Sequence, residues 1–474
     1  MTGRLDQPRI LLHGFGMFAV MFRHLIEIAR KEAPEIEWSI ILPTPHHYDL
    51  MHQVLDDTNI LSLTDLQQRA LPPLLDTSEL AGYAGNIFHD IEAEKRHFRH
   101  RPAGEQLARA ADIYRIYRAF FERIQPTHLL ISQIETYEGK MLVALARELG
   151  IRTLTPTSGR IFGGTYFSPD AEETLPGNRV VTPELMAEAR SLLQRFRTTG
   201  ISASGLPETL DPCDPVLPDF RKGLPARALG FLRRTLSRPE LFEIDTVRVG
   251  LLNNMPWLRD RIWAVRTRAA EGLYDLRRLV DLPPRFLYYP LQVTPESSIN
   301  TPAPYFVDQL RAIDAIRFAM PSDHLLVVKE HPAAISIRPL SFMRAVRRRA
   351  GVVVAHYRTD SRTLIQRAAC TLSVTGSATI EAFLLGKPSL TLGPNIISEF
   401  LGGVCAIDQL PLRIRQSIAA PPDDDAVIMA VAEILSVRYD FIYRPEQPGE
   451  PGLRICNLRR FLEAITNYIK RVQS

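Results

Sequence analysis

The sequence predicts an α/β protein built from two units in which strands and helices alternate. The first observation is a strand–helix–strand start. Residues 9–12 and 36–42 are apolar runs typical of strands, and residues 18–31 carry apolar side chains at helical spacing. The second is that residues 285 to about 435 repeat this alternation throughout. With 474 residues, 45% of them hydrophobic, the chain can bury the cores of two or three domains.

The N-terminal unit is completed by further helices and strands. The patterns predict helices over 107–123, 140–149 and 183–198, and strands over 127–132 and 151–155. Residues 43–101 are expected to be irregular. Their six histidines show neither HxxxH nor HExxH spacing, so we expect scattered surface side chains rather than a metal site.

A glycine-containing turn, His13-Gly14-Phe15-Gly16, follows the first predicted strand. Dinucleotide-binding loops occupy the same place between a strand and a helix. Here, however, no third glycine follows at the required distance, and no acidic residue ends the second strand. We therefore interpret the segment as a tight turn.

The C-terminal unit is predicted in the same way. Strands are expected over 286–291, 325–329, 352–355, 370–374 and 389–392, and helices over 305–320, 341–349, 363–369 and 380–385. The acidic run 423–425 follows two prolines and is interpreted as a helix start. A last helix over 456–472 follows a Pro/Gly-rich break and is expected to cross back to the first unit.

The loop from Thr375 to Thr379 joins a predicted buried strand to a predicted helix. It supplies one glycine, Gly376, and the hydroxyls of Thr375, Ser377 and Thr379. A small loop that opens a helix leaves backbone N–H groups at the positive end of the helix dipole, where a phosphate can bind. The alternative is that the hydroxyls only cap the helix.

Composition excludes several classes of protein. The formal net charge of +4 is small for this length and does not indicate nucleic-acid binding. No uninterrupted apolar run reaches the length of a membrane span, and the N-terminus lacks the pattern of a signal peptide. The four cysteines are widely spaced, so we expect free thiols in a cytoplasmic protein.

Residues 221–281 form a basic stretch, with thirteen Lys and Arg against seven Asp and Glu. Two tryptophans, Trp257 and Trp263, interleave with four arginines of this stretch: Arg259, Arg261, Arg266 and Arg268. Such a segment is typical of a peripheral contact with the inner-membrane surface. A connector helix with a solvated basic face is the alternative.

Three segments occur in an informative order: FLYYPLQVTPESSI, LLVVKEHP and TLSVTGSATIEAFLLGKPSLTLG. In this order they resemble the bacterial capsule polysaccharide synthesis family, which includes retaining transferases that add Kdo (3-deoxy-manno-octulosonic acid) to a capsule's lipid anchor. The resemblance covers about residues 285–395 and is diffuse before them. It implies a glycosyltransferase of the GT-B type, with two Rossmann-like domains facing across a cleft and the nucleotide held by the C-terminal one.

Two motifs carry the resemblance. The family's Gln-x-x-x-acid motif falls on Gln292 and Glu296, and its His-Pro motif falls on His331 and Pro332. The chain departs from the family at two points. It has Glu296 where the Kdo transferases have Asp, and its segment 157–160 lacks the acidic residue expected before the glycine.

The chemistry of glycosyl transfer matches these residues. It requires a phosphate to be held, a leaving group to be stabilised and a carboxylate near the anomeric carbon. Glu296 is expected to be the nucleophile or an electrostatic stabiliser, and Gln292 to orient it or the sugar. His331, held by Pro332, is expected to donate a hydrogen bond or a proton to the departing phosphate, which Ser377 and the neighbouring loop would bind.

The sequence gives less support for a functional role of the remaining charged residues. Lys329 and Glu330 are expected to pair with each other or to face solvent. Glu381, placed in the first helical turn, is expected to accept a ribose hydroxyl, with dipole compensation as the alternative. Glu135 and Glu138 follow a strand end and are candidates for the acceptor side, against two solvated carboxylates.

Together these expectations describe a nucleotide-sugar-dependent glycosyltransferase that uses no cofactor and no metal. CMP-Kdo is the donor to test first, and the acceptor is a glycan or glycolipid. The alternatives are a CDP-polyol phosphotransferase-like enzyme and a catalytically inactive scaffold of the capsule-export machinery. The expected parts are an acceptor-side domain (1–195), a linker and basic connector (196–284), a nucleotide-sugar-binding domain (285–445) and a C-terminal helix (446–474).

Overall fold

The computed structural model describes residues 7–43, 47–63, 78–93, 102–132, 134, 136–161, 163–170, 172–199, 256–294, 296–335, 338–443 and 451–473. In this part of the chain, two mainly parallel sheets are each covered by helices on both faces. The predicted α/β class with two Rossmann-like domains is confirmed.

The first sheet has strand order β3-β2-β1-β4-β5-β6, and β6 is antiparallel to β5. Its strands are β1 (Arg9–His13), β2 (Glu37–Leu42), β3 (Ile60–Ser62), β4 (His128–Ile131), β5 (Arg152–Ser158) and β6 (Thr165–Ser168). The sequence analysis missed both edge strands, and β3 lies in a region expected to be irregular. Runs of three and four residues are too short to show strand periodicity.

In the described part of the first half, the helices are α1 (Met17–Glu32), α2 (Tyr48–His52), α3 (Ile87–Ala93), α4 (Ala103–Ile124) and α5 (Tyr137–Glu148). Three of these five helices were predicted, whereas the short helices α2 and α3 lie in the region expected to be irregular. Alternation along β1 places Ile10 and Leu12 in the core with α1, and Leu11 in the core with α4 and α5. Both faces of the sheet are therefore buried, which explains why its strands are continuously apolar.

The second sheet is entirely parallel, with strand order β11-β10-β7-β8-β9. Its strands are β7 (Phe286–Pro290), β8 (Leu325–Lys329), β9 (Val352–Ala355), β10 (Cys370–Ser373) and β11 (Ser389–Thr391). The chain adds β8 and β9 on one side of β7, and then β10 and β11 on the other. The connections therefore diverge between β7 and β10, and such a switch point creates a crevice at the carboxyl ends of the strands.

The remaining helices surround this sheet or join the two halves. They are α6 (Pro183–Thr199), α7 (Pro256–Ala270), α8 (Ser297–Asn300), α9 (Gln309–Ala319), α10 (Leu340–Arg347), α11 (Ser361–Arg367), α12 (Ser377–Leu384), α13 (Leu410–Ala419), α14 (Asp424–Ser436) and α15 (Ile455–Gln473). Asp423 caps α14 by accepting a hydrogen bond from Ala426 N at 2.7 Å, so the predicted helix start is confirmed.

Two helices pack far from their neighbours in sequence. The C-terminal helix α15 lies against α1, and Phe461 and Ile465 share a core with Phe22. This return to the first sheet confirms the predicted crossing. Conversely, α6 packs against α14, and its Phe196 shares a core with Val431.

Candidate active site

The three segments predicted to carry the chemistry follow β7, β8 and β10, which are neighbours in the second sheet. Gln292 and Glu296 follow β7, the His331-Pro332 turn follows β8, and the loop ending at Ser377 follows β10. Because parallel strands end at the same edge, the fold brings these segments together at the switch point. This edge is where open α/β sheets bind ligands.

Gln292 bridges the loops that follow β7 and β10. Its Nε2 donates to Thr375 Oγ1 at 2.8 Å, and its Oε1 accepts from Thr375 N at 3.1 Å. Both residues are buried. Thr375 binds both ends of the Gln292 amide, and the predicted role of Gln292 in orienting the acid or the sugar stays a prediction. Gln292 fixes one loop to the other across the switch point.

Gln309 on α9 is a residue that the sequence analysis missed. It is fully buried, its Oε1 accepts from Gln292 N at 2.7 Å, and its Nε2 donates to Gln292 O at 2.7 Å. This amide therefore holds the backbone of the loop that carries Glu296. The available signal was a glutamine on an otherwise apolar helix face.

Glu296 and His331 lie close enough to interact electrostatically. Both side chains are exposed, and Ser298 Oγ donates to Glu296 Oε2 at 2.9 Å. Surrounding protein atoms disfavour the imidazolium and lower the pKa of His331, while the Glu296 carboxylate opposes this shift. Pro332 begins a short 3₁₀ turn directly after the histidine. The structure thus brings the two predicted catalytic groups together.

Lys329 and Glu330 do not pair with each other, which corrects the prediction. Both are buried, and as consecutive residues at a strand end they project to opposite faces of the sheet. Lys329 Nζ donates to Ser361 Oγ at 2.5 Å on the α11 face. Burial lowers the pKa of Lys329, and the Asp360 and Glu381 carboxylates oppose that shift.

On the other face, Glu330 pairs with Arg338 at 2.8 Å between Oε2 and Nε. Glu330 Oε1 also accepts from His331 N at 2.7 Å. Arg338 Nη2 in turn donates to the carbonyl of Gln292. Burial raises the pKa of Glu330, and the Arg338 guanidinium opposes the shift. This ion pair therefore connects the histidine turn to the loop that carries the acid.

The predicted phosphate loop opens α12 without a side-chain cap, since Gly376 is the N-cap residue. The Thr379 hydroxyl is fully buried and donates to Gly376 O at 3.0 Å, so it shapes the loop instead of facing a ligand. Thr375 Oγ1 is likewise used internally, donating to Ser298 O at 2.5 Å. Ser377 is exposed at the start of the helix. The Ser377 hydroxyl hydrogen-bonds the Glu381 carboxyl group, so the loop offers its backbone N–H groups to an anion.

Glu381 lies in the second turn of α12 and not in the first as predicted, because the helix already begins at Ser377. Burial raises the pKa of Glu381, while the Arg362 guanidinium and a hydrogen bond from Ser377 oppose the shift. The carboxyl group therefore lies beside the proposed phosphate loop, together with the buried ammonium of Lys329.

Of the two acceptor-side candidates, the structure describes only Glu138. Glu135 lies outside the described residues. Glu138 lies in the first turn of α5, where burial raises its pKa and a hydrogen bond with Thr136 opposes the shift. The two halves of the chain meet nearby, where Thr301 Oγ1 donates to Ile134 O at 2.8 Å.

A polar cluster between α3 and α5 was also missed from sequence. Lys140 Nζ lies 3.4 Å from Asp90 Oδ1 and 3.1 Å from His89 Nδ1, and Tyr83 donates to Asp90 Oδ2 at 2.5 Å. The sequence offered only the concentration of histidines as a signal, because Lys140 is about fifty residues away along the chain from the other three side chains.

The described residues show neither a metal-binding cluster nor a membrane-spanning helix. No group of three or more His, Cys, Asp or Glu side chains there could hold a metal ion. No helix in the same part of the chain is both long and apolar enough to cross a bilayer. Most of the basic stretch, residues 221–255, lies outside the described residues, so its membrane contact stays a prediction.

No protein-family profile and no curated protein matches the chain. Among solved structures, it is similar to a putative UDP-N-acetylglucosamine 2-epimerase from Listeria monocytogenes, with 10% identity, 98% of each chain covered and a TM-score of 0.25. It is also similar to the β-Kdo 2,4 transferase of KpsC from Thermosulfurimonas dismutans, with 12% identity and a TM-score of 0.32 over 66% of this chain and 88% of that one. Identities and scores this low assign no function.

Proposed function

We propose that this protein is a retaining glycosyltransferase that moves a sugar from a nucleotide donor to a glycan or lipid-linked acceptor of a surface polysaccharide. The proposed donor is CMP-Kdo. The observation that carries the proposal is the electrostatic interaction of Glu296 with His331, together with the Glu296 loop following β7, the neighbour of the strand that leads to the uncapped start of α12. A carboxylate, a proton or hydrogen-bond donor and an anion site are the three elements that this reaction needs.

The arrangement supports a double displacement. In the first step, a Glu296 oxygen forms a bond to the anomeric carbon while the bond from that carbon to the phosphate oxygen breaks. The nucleotide leaves with the electron pair, and His331 donates a hydrogen bond or a proton to it. In the second step, the acceptor hydroxyl gives its proton to neutral His331 and its oxygen bonds to the anomeric carbon, while the bond from that carbon to Glu296 breaks and the glutamate leaves as a carboxylate.

The leaving phosphate is assigned to the loop after β10. Its backbone N–H groups can stabilise the negative charge that develops on the phosphate as the bond breaks. The buried ammonium of Lys329, on the same face of the sheet, adds positive potential. Glu381 is the group proposed to bind the ribose.

A thermal-shift screen with CMP, UDP, GDP and CDP tests the donor, since a ligand that binds the native state raises its melting temperature. We expect CMP to give the largest shift. A clear preference for UDP would exclude CMP-Kdo as the donor. Incubation with CMP-Kdo and a lipid-linked acceptor should then give a glycosylated product, and an isomerised donor without transfer would contradict the assignment.

A further inference from the structure

A surface hollow of about 230 Å³ lies at the end of the first sheet opposite the candidate active site. Arg152 is the first residue of β5, and Arg147 belongs to the last turn of α5, so both mark the amino edge of the sheet. The proposed reaction is assigned to the carboxyl edge of the second sheet. Four segments form the hollow: α5, the start of β5, the end of β6 and α15. The residues that line it are Val143, Arg147, Ile151, Arg152, Thr153, Pro169 and Tyr468.

The wall of the hollow carries two guanidinium groups and no carboxylate. Neither Arg147 nor Arg152 forms an ion pair with another described residue. Arg118, by contrast, lies 3.1 Å from Glu148 on the same domain. Arg147 lowers the pKa of Glu172, but Glu172 does not line the hollow.

Arg147 and Arg152 both line the hollow and carry like charges, which an anion bound between them would offset. Arg152 also acts on the hydroxyl of Tyr468, whose pKa it lowers against the effect of burial. The residues that line the hollow thus include two guanidinium groups and two hydroxyl-bearing side chains, Tyr468 and Thr153.

We propose that this hollow binds a phosphate group. One guanidinium can saturate the two oxygens of a carboxylate, whereas a phosphate presents more oxygens and more charge and can be shared by two guanidinium forks. The volume is also larger than a phosphate alone needs, so it can accommodate part of the molecule that carries it. Two sources share this chemistry: a soluble phosphate compound and the headgroup of an anionic phospholipid.

The test compares the full-length protein with Arg147→Gln and Arg152→Gln. Inorganic phosphate and pyrophosphate are titrated by calorimetry in one arm. Flotation with phosphatidylglycerol vesicles, against phosphatidylcholine vesicles, forms the other. A hydrogen bond to a charged group is worth enough for each substitution to weaken binding by about tenfold or more. Arg152→Lys keeps the charge but loses the fork, and we expect it to be intermediate.

Arg415→Gln is the matched control, because Arg415 is exposed on α13 and lines no part of the hollow. It should bind like the wild type in both arms. If phosphate or pyrophosphate binds the wild type but neither glutamine variant, the ligand is a soluble phosphate compound. If phosphatidylglycerol vesicles show the same difference, the ligand is a lipid headgroup. No binding in either arm, or binding that the glutamine variants retain, overturns the proposal. CMP binding provides a separate readout of the intact C-terminal domain.

Discussion

Arg338 and Glu330 form an ion pair at 2.8 Å in which the two side chains are only 6% and 2% exposed. The His331 backbone N–H donates to the other oxygen of this carboxylate, Glu330 Oε1. A charge buried this deeply depends on its partner, since few other groups can replace the lost water.

Replacing Arg338 with Met should therefore destabilise the protein by about 3–5 kcal/mol, because it leaves the Glu330 carboxylate buried without a partner. Urea unfolding measures the loss. The double variant Glu330→Gln/Arg338→Met should recover part of it, while Arg415→Met, at an exposed position, should change stability by about 0.5 kcal/mol at most. A single variant as stable as the wild type would mean that this pair contributes nothing.

Glu296→Gln keeps the shape of the side chain and removes its negative charge. We expect sugar transfer to collapse, because a neutral amide cannot attack the anomeric carbon, while CMP binding stays near normal. Steady-state transfer rates and calorimetry give the two readouts. Glu463→Gln, an exposed site on α15, is the control. Retention of most activity by Glu296→Gln would make this residue structural.

His331→Ala should also reduce transfer, because the departing phosphate loses its hydrogen-bond or proton donor. General acid catalysis typically contributes about 10²–10⁴-fold, so a loss well below tenfold would not fit the role. The loss should be smaller with a donor whose leaving group is better, and Glu296→Gln should show no such dependence. Rates measured with two donors of different leaving-group acidity make this comparison.

The pH dependence of transfer gives a separate test of His331. Its pKa is lowered from 6.5 by desolvation, so the protonated form is present only at acidic pH. If His331 transfers a proton, kcat/KM should fall as pH rises through this lowered pKa. His331→Gln retains a neutral hydrogen-bond donor, and the profile of this variant should lack that step.

Thr375→Val removes the hydroxyl that accepts from Gln292 Nε2 and donates to Ser298 O. Because buried donors and acceptors then lose their partners, we expect a loss of about 1–3 kcal/mol in stability and weaker CMP binding. Thr198→Val, at an exposed position on α6, should leave both unchanged. Unaltered CMP affinity would show that the bridge between the two loops is not needed to form the phosphate site.

His13 provides a prediction about acid sensitivity. Burial lowers its pKa from 6.5 to about 4, so unfolding takes up a proton between these values. The stability that depends on neutral His13 is fully present above about pH 6.5 and falls by about 3 kcal/mol as pH decreases towards 4. His13→Leu should lose this part of the decrease, measured as melting temperature against pH. His52→Gln, at an exposed site, should follow the wild type.

The sequence predicted most elements of the fold because apolar periodicity is a local property. Strand 325–329, for example, matches β8 residue for residue. It also predicted which loops meet at the candidate site. It did not predict the partners of buried polar groups, because these depend on which face of the sheet a side chain occupies. The Glu330–Arg338 pair and the amide of Gln309 belong to this class.

The return of α15 to α1 has a consequence for how the protein is made. The ribosome releases the first sheet hundreds of residues before the helix that completes one of its faces. Until then, a surface that includes Phe22 and Leu25 lacks its cover from Phe461 and Ile465. We therefore expect the first half to complete its core only after α15 has been synthesised. A chain truncated before α15 should therefore aggregate or be degraded, although every proposed catalytic residue precedes that helix.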